Sequence, residues 1–216
     1  METYVVTCGR QSQYTTESDF FEASLHTCEN INWIHHKRGD SHNSRAVFGG
    51  KDLHDFMIWK FSCAQHTCST LPKDATIVVS DIYIVWKFSA FEELKTYAER
   101  GVYAISANEQ GALSAGLLAS KNTPAFQWLL YRCYNYLKHH PSCNADDALR
   151  KVGKDRVQTL PFCFANSNTQ SSTPTSRIQC FHAVSEKAGE SQHVTEQRSQ
   201  MLQRWFEVIQ TFNVGN

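Results

Sequence analysis

Asp81 ends an apolar run, Ala75-Thr76-Ile77-Val78-Val79-Ser80, and offers the most direct start for chemistry in this chain. A β-branched run of this kind predicts a strand covered on both faces, so the acid that follows it is delivered to the edge of a sheet. A carboxylate in that place can ligate a hard divalent cation, which prefers oxygen donors, or accept hydrogen bonds from a ribose. It can equally be an ordinary turn aspartate bonding its own backbone. Three further groups of polar residues directly follow predicted strands: Thr7 to Arg10, Asn108 to Gln110, and His182 to Lys187. An acidic pair, Asp146-Asp147, follows Asn144. Either acid can serve as a general base; the pair can also simply complement the positive end of a short helix. Glu109 reads as a solvated loop acid.

Some metal-capable residues lack the spacing for a site. Cys63-Ala64-Gln65-His66-Thr67-Cys68 has no second pair at zinc-site distance, and it falls at the end of a helix. His35-His36 and His139-His140 do not form a two-histidine helix face and read as surface residues. No Gly-x-Gly-x-x-Gly follows the first strand, and there is no Walker motif, which argues against dinucleotide and P-loop binding. The eight cysteines form no repeating framework, and Cys8, Cys133, Cys163 and Cys180 lie inside apolar segments. That usage predicts buried free thiols in a reducing, cytoplasmic compartment.

The elements that must position these groups alternate in type. Strands are predicted at Tyr4 to Cys8, Ile31 to Ile34, Ala75 to Ser80, Val102 to Ser106, Leu113 to Ala119, Val157 to Leu160 and Ile178 to Phe181. Between them, Asp19 with Glu22 and Ser89 with Glu92 have capping-box spacing. Gly49-Gly50 precedes a long helix through Leu53, Phe56, Met57, Phe61 and Ala64. Thr123-Pro124 is a strong helix start, Asn144 can cap the next helix, and Glu190 to Phe212 reads as a terminal amphipathic helix. Asn166 to Ser176, rich in Asn, Ser and Thr, reads as a mobile loop. The pattern predicts an α/β sandwich with a mainly parallel mixed sheet, in which ligands bind beyond the carboxyl ends of the strands.

Bulk properties narrow the class. A chain of 216 residues suits a single domain over 1–216. Lys and Arg number 21, as do Asp and Glu, so the basic surplus of a non-specific nucleic-acid binder is missing. No apolar run approaches the ~20 residues of a membrane span. Met1-Glu2-Thr3-Tyr4 lacks the basic start of a signal peptide.

Taken in order, several segments resemble the nucleotide-diphospho-sugar transferases of the GT-A fold, in particular the glycosyltransferase domain of lysyl hydroxylases and collagen galactosyltransferases. Asp81-Ile82-Tyr83-Ile84-Val85 followed by Glu92-Glu93-Leu94 resembles that family's metal-binding strand and helix. Gly49-Gly50-Lys51 resembles the start of its preceding helix. Leu113-Ser114-Ala115-Gly116-Leu117-Leu118 resembles its acceptor-side strand, and Ala145-Asp146-Asp147-Ala148 its Asp-Asp-Gln segment. Phe181-His182 through Lys187 resembles a late His…Lys element.

The resemblance implies a glycosyltransferase that moves a hexose from a nucleotide-diphosphate sugar, UDP above all, to a hydroxyl acceptor on a glycan or glycoprotein. By the same resemblance, Thr7, Cys8, Arg10, Lys51, Ser80, Asp81, Tyr83, Ser114 and Lys187 would bind the donor. Asp146 or Asp147 would address the sugar, and Asp81 with His182 would hold Mn²⁺ or Mg²⁺. The chain departs from the family at its second metal aspartate, where it has Tyr83 and Ile84. Three readings follow: a metal held by Asp81, His182 and the diphosphate; a metal-free site using Lys51, Arg45 or Lys187; or an inactive relative serving as a carbohydrate- or protein-binding module. Compact transferases of this type occur in bacteria and in large DNA viruses.

Overall fold

The computed structural model describes residues 2–10, 15–38, 51–87, 89–106, 111–161, 163–166, 179–182, 200–208 and 211. The predicted strands and helices are present, joined by two short strands, Ile84–Trp86 and Phe164–Asn166, that the sequence did not signal: β1 (Thr3–Arg10), α1 (Thr15–Leu25), β2 (Ile31–Arg38), α2 (Lys51–Thr70), β3 (Thr76–Ser80), β4 (Ile84–Trp86), α3 (Ala90–Ala98), β5 (Val102–Ser106) and β6 (Leu113–Lys121). Then come α4 (Pro124–His139), α5 (Ala145–Gly153), β7 (Val157–Thr159), β8 (Phe164–Asn166) and β9 (Cys180–His182). A last helix, α6, spans 200–208.

The main sheet has six strands in the order β2-β1-β3-β6-β5-β7. β1 runs parallel to β2 and β3, β5 runs parallel to β7, and β6 alone is antiparallel to its neighbours. β4, β9 and β8 make a second, three-stranded sheet. Side chains of β3 divide by parity, as a pleated strand requires. Ile77 and Val79 join a core with Phe61, Ala64, Phe126, Leu130 and Leu149 from α2, α4 and α5. Val78 joins the opposite core with Phe21, Trp86, Phe91 and Leu94 from α1, β4 and α3. The result is an αβα arrangement around a mixed, mostly parallel sheet, as expected.

The local signals succeed where the partner is near in sequence. Thr123 Oγ1 accepts from Phe126 N at 3.2 Å, with Pro124 at the first helical position. Asn144 and Asp147 complete a capping box on α5: Asp147 N donates to Asn144 Oδ1 at 2.9 Å and Asn144 N to Asp147 Oδ2 at 3.1 Å.

Other expectations are corrected. α1 begins at Thr15, so Asp19 lies inside the helix rather than at its cap; an Asp–Glu pair three apart fits an exposed helix face as well as a capping box. Ser89 has a helical backbone (φ −83°, ψ −5°), so its hydroxyl is aimed away from the helix N–H groups. It donates instead to Gln179 Oε1 at 2.9 Å. Cys163 is half-buried rather than buried. His35 and His36 are half-buried and not surface residues. The terminal helix is described over 200–208; of the loop predicted from Asn166 to Ser176, Asn166 instead ends strand β8 and 167–176 lies outside the described residues. No described helix is long and apolar enough to cross a membrane.

Candidate functional site

β3 ends at Ser80, and the chain leaves the sheet with Asp81 at its carboxyl edge. Asp81 N donates to Gly116 O at 2.8 Å, which ties the turn to β6. The Asp81 side chain is 26% exposed and accepts at Oδ1 from Lys60 Nζ at 2.5 Å. Lys60 comes from the middle of α2 and is only 3% exposed. Its ammonium also donates to Ala115 O at 2.9 Å. A buried ammonium of this kind needs such partners, and the contact fixes the carboxylate in direction.

The network continues through the same residue of β6. Ala115 N donates to Asp146 Oδ1 at 2.7 Å, and Ser114 Oγ donates to that oxygen at 3.3 Å. The two polar groups of Ala115 thus join a lysine–aspartate pair on one side to a second carboxylate on the other. Asp81, Ser114 and Asp146, separated widely in sequence, are brought together at the carboxyl end of β3, where an α/β sheet takes its ligands. Lys60 is the residue that the sequence reading missed. Its signal was present: Leu53, Met57, Lys60 and Ala64 fall on one helical stripe, and a lysine on an apolar stripe needs a buried anion.

The remaining candidates separate. Asp147 is engaged in its capping box and by Arg150 Nη2, which donates at 3.2 Å, so this acid closes a helix end. Ser80 is buried and donates to its neighbour Asp81 O at 2.8 Å. Tyr83 packs with Phe20, Met201, Trp205 and Phe206 around Val85 and Leu202. Thr7 and Cys8 project from β1 toward opposite faces. Thr7, 1% exposed, accepts from Trp33 Nε1 at 2.8 Å and bonds His35 Nδ1 at 2.7 Å. Burial holds His35 below its ordinary pKa, and the charge of Lys37 adds to the effect. Cys8 faces α2, with its sulfur 4.0 Å from Lys60 O.

The backbone of His182 pairs with that of Ile84, three residues past Asp81. The side chains of Arg10, Lys51 and His182, and the whole of Arg45, Asn108, Glu109, Gln110 and Lys187, lie outside the described residues. Among the described residues no three His, Cys, Asp or Glu side chains gather as a metal cage. Asp81, with one oxygen bonded to an ammonium, is by itself a poor donor set for a hard divalent ion. These residues fit an anchored carboxylate better than a metal cage.

No protein-family model matches the chain, and no curated protein matches it. Solved structures do. The glycosyltransferase GlyE of Streptococcus pneumoniae TIGR4 superposes with a TM-score of 0.58 over 96% of this chain at 12% identity. The chain spans 64% of that structure's length. A glycosyltransferase involved in glycosylation of the major capsid of PBCV-1 gives 0.61 over 94% of this chain and 99% of its own, at 6% identity. The galactosyltransferase LgtC, solved with donor and acceptor sugar analogs, gives 0.60 over 97% of this chain and 96% of its own, at 11% identity. The chain therefore has the GT-A-type α/β fold of these transferases.

Proposed function

We propose that the chain is a glycosyltransferase that moves a hexose from a nucleotide-diphosphate sugar, UDP-linked, to a hydroxyl of a glycan or glycoprotein acceptor. The observation that carries this reading is the Asp81–Lys60–Ala115–Asp146 network at the carboxyl end of β3. It supports the reading because a donor laid across the strand ends meets two carboxylates in fixed positions. Transfer breaks the bond from the anomeric carbon to the diphosphate oxygen and forms one to the acceptor oxygen. Asp81 accepts hydrogen bonds from donor hydroxyls, and Lys60 is the positioning residue that holds it. Asp146 faces the sugar, where a carboxylate stabilises positive charge developing at the anomeric carbon or takes the acceptor's proton. Lys51, Arg45 and Lys187 are the cations proposed for the leaving diphosphate.

A divalent ion, if used, would draw on Asp81 and His182 and would neutralise the diphosphate; none of the steps assigned to residues above passes through it. The missing second metal aspartate, replaced by Tyr83 and Ile84, favours one alternative: a binding module on the same fold, for carbohydrate or protein. Calorimetric titration with UDP, UDP-glucose, UDP-galactose and GDP-mannose, each with Mn²⁺ and with EDTA, tests both. Binding of one donor that is lost in Asp81→Ala supports the transferase. Indifference to EDTA assigns the diphosphate to the basic residues. Glycan binding unaffected by Asp81→Ala, with no donor bound at millimolar concentration, overturns the transferase in favour of the module.

A further inference from the structure

Two cysteines, 55 positions apart in sequence, meet beside the Lys60 backbone. Cys8 leaves β1 on the face that α2 covers, and its sulfur lies 4.0 Å from the carbonyl of Lys60. Cys63 is one turn further along α2. Helical side chains lean toward the N-terminus of their helix, so Cys63 leans back over that same carbonyl, where the Cys8 sulfur lies. A cation stands next to it. Arg38, at the end of β2, places its guanidinium carbon 6.0 Å from the ring centre of Trp59. Trp59 and Cys63 are four apart on one helix face. Arg38 Nη1 is buried and has no hydrogen-bond partner among the described residues.

The surroundings make this pair unlike the other thiols. Burial pushes Cys28 up to about 11 and Cys68, Cys133 and Cys163 up to about 12. Cys63 moves the other way: the hydrogen bond from Cys8 lowers it, burial raises it, and the charge of Arg38 lowers it again. Cys8, which donates that bond and is buried, is pushed up. One thiol is thus set to attack and its neighbour to follow, because the thiolate is the nucleophile in thiol–disulfide exchange.

We propose that Cys8 and Cys63 are a redox-active dithiol, oxidised by a glutathione-type disulfide, whose closure strains the Lys60–Asp81 contact. The Cys63 thiolate attacks the small disulfide and expels one thiolate, which takes a proton. The Cys8 sulfur, giving up its proton to solvent, then attacks the Cys63 sulfur and expels the second. Two protein thiols are oxidised, and one disulfide is reduced to two thiols. Closing the pair to the ~2.05 Å of a disulfide draws α2 toward β1 one turn from Lys60. The ammonium that joins Asp81 to Ala115 moves with it.

The test uses the full chain equilibrated with oxidised glutathione, capped with an alkylating agent and digested without reduction for mass spectrometry. A Cys8–Cys63 linked peptide, reversed by dithiothreitol, is expected. Cys8→Ser should retain glutathione on Cys63, and Cys63→Ser should leave Cys8 reduced. Both thiols still alkylated, or oxidation confined to another pair, overturns the proposal. The coupling is read by amide hydrogen exchange. Peptides covering 113–118 should exchange about tenfold faster in the oxidised chain, as expected when a local network is weakened. Unchanged exchange overturns the coupling. Neither readout needs a nucleotide sugar, so failure of the transferase reading is told apart from failure of this one.

Discussion

The polar clusters that fasten helix α2 at the two ends of β3 are built on opposite plans. At the amino end of β3, Asn122 is 1% exposed and uses its whole side chain. Nδ2 donates to Cys68 O, Leu71 O and Pro72 O at 2.8, 3.0 and 3.1 Å, and Oδ1 accepts from Gln127 Nε2 at 3.0 Å. This cluster is neutral and saturated, and it has nothing left for a ligand. At the carboxyl end the fastening is ionic, through Lys60, and its anion is 26% exposed. Burying a charge is costly unless it is paired, so a neutral amide would fasten a helix at lower cost. An ionic cluster that reaches the surface is better explained by what its carboxylate meets there.

If that contrast is right, the two ends respond differently to mutation. Asp81→Asn, the largest effect, removes the counter-charge of the Lys60 ammonium and leaves it the carbonyl of Ala115. It should cost about 3 kcal/mol in urea denaturation, the low end for an uncompensated buried charge, and should abolish donor binding. Asn122→Ala leaves three carbonyls without their donor. A loss of about 2 kcal/mol is expected, with donor affinity unchanged by calorimetry; a parallel loss of binding would break the comparison.

The acidic pair sharpens it further. Asp146→Ala removes the acceptor of Ala115 N, at about 1–2 kcal/mol, and should suppress turnover. Asp147→Ala removes half of a capping box, at about 0.5 kcal/mol, and should leave turnover near wild type. Equal loss of turnover in both would return Asp147 to the site.

The smallest effect is one of pH. The folded pKa of His35 lies below its ordinary 6.5, so the unfolded chain binds the proton more readily. Stability should therefore be full above 6.5 and decline as the pH falls through that value toward the folded pKa. His36 is shifted in the same direction and adds to the trend. A urea midpoint that falls between about pH 7.5 and 5.5, and falls less in His35→Gln, checks this.

What the sequence disclosed depended on the distance to the partner. Asp81 was found because five buried strand residues precede it, and the caps at Thr123 and Asn144 because each partner lies three residues away. Ser89 misled for the opposite reason: its hydroxyl goes to Gln179, 90 residues on, and local spacing carries no record of such a contact. Lys60 escaped because a lysine on a helix is ordinarily solvated, and only its place on the stripe of Leu53, Met57 and Ala64 marked it. The two acids of Asp146-Asp147 were left unresolved, since their difference is made by the backbone of Ala115, a residue with no functional group of its own.

The central place of β6 has a consequence for how the chain reaches its native state. β3 pairs with β1 on one side, both made early in synthesis, but its other edge waits for residues 113–121. Until then a strand that ends wholly buried presents an unpaired, apolar margin, the kind of edge that recruits other chains. Partner strands this far apart also pair slowly. The nascent N-terminal half should therefore be the stage most exposed to aggregation and most dependent on chaperones, and truncations ending before Lys121 should be insoluble where the full chain is not.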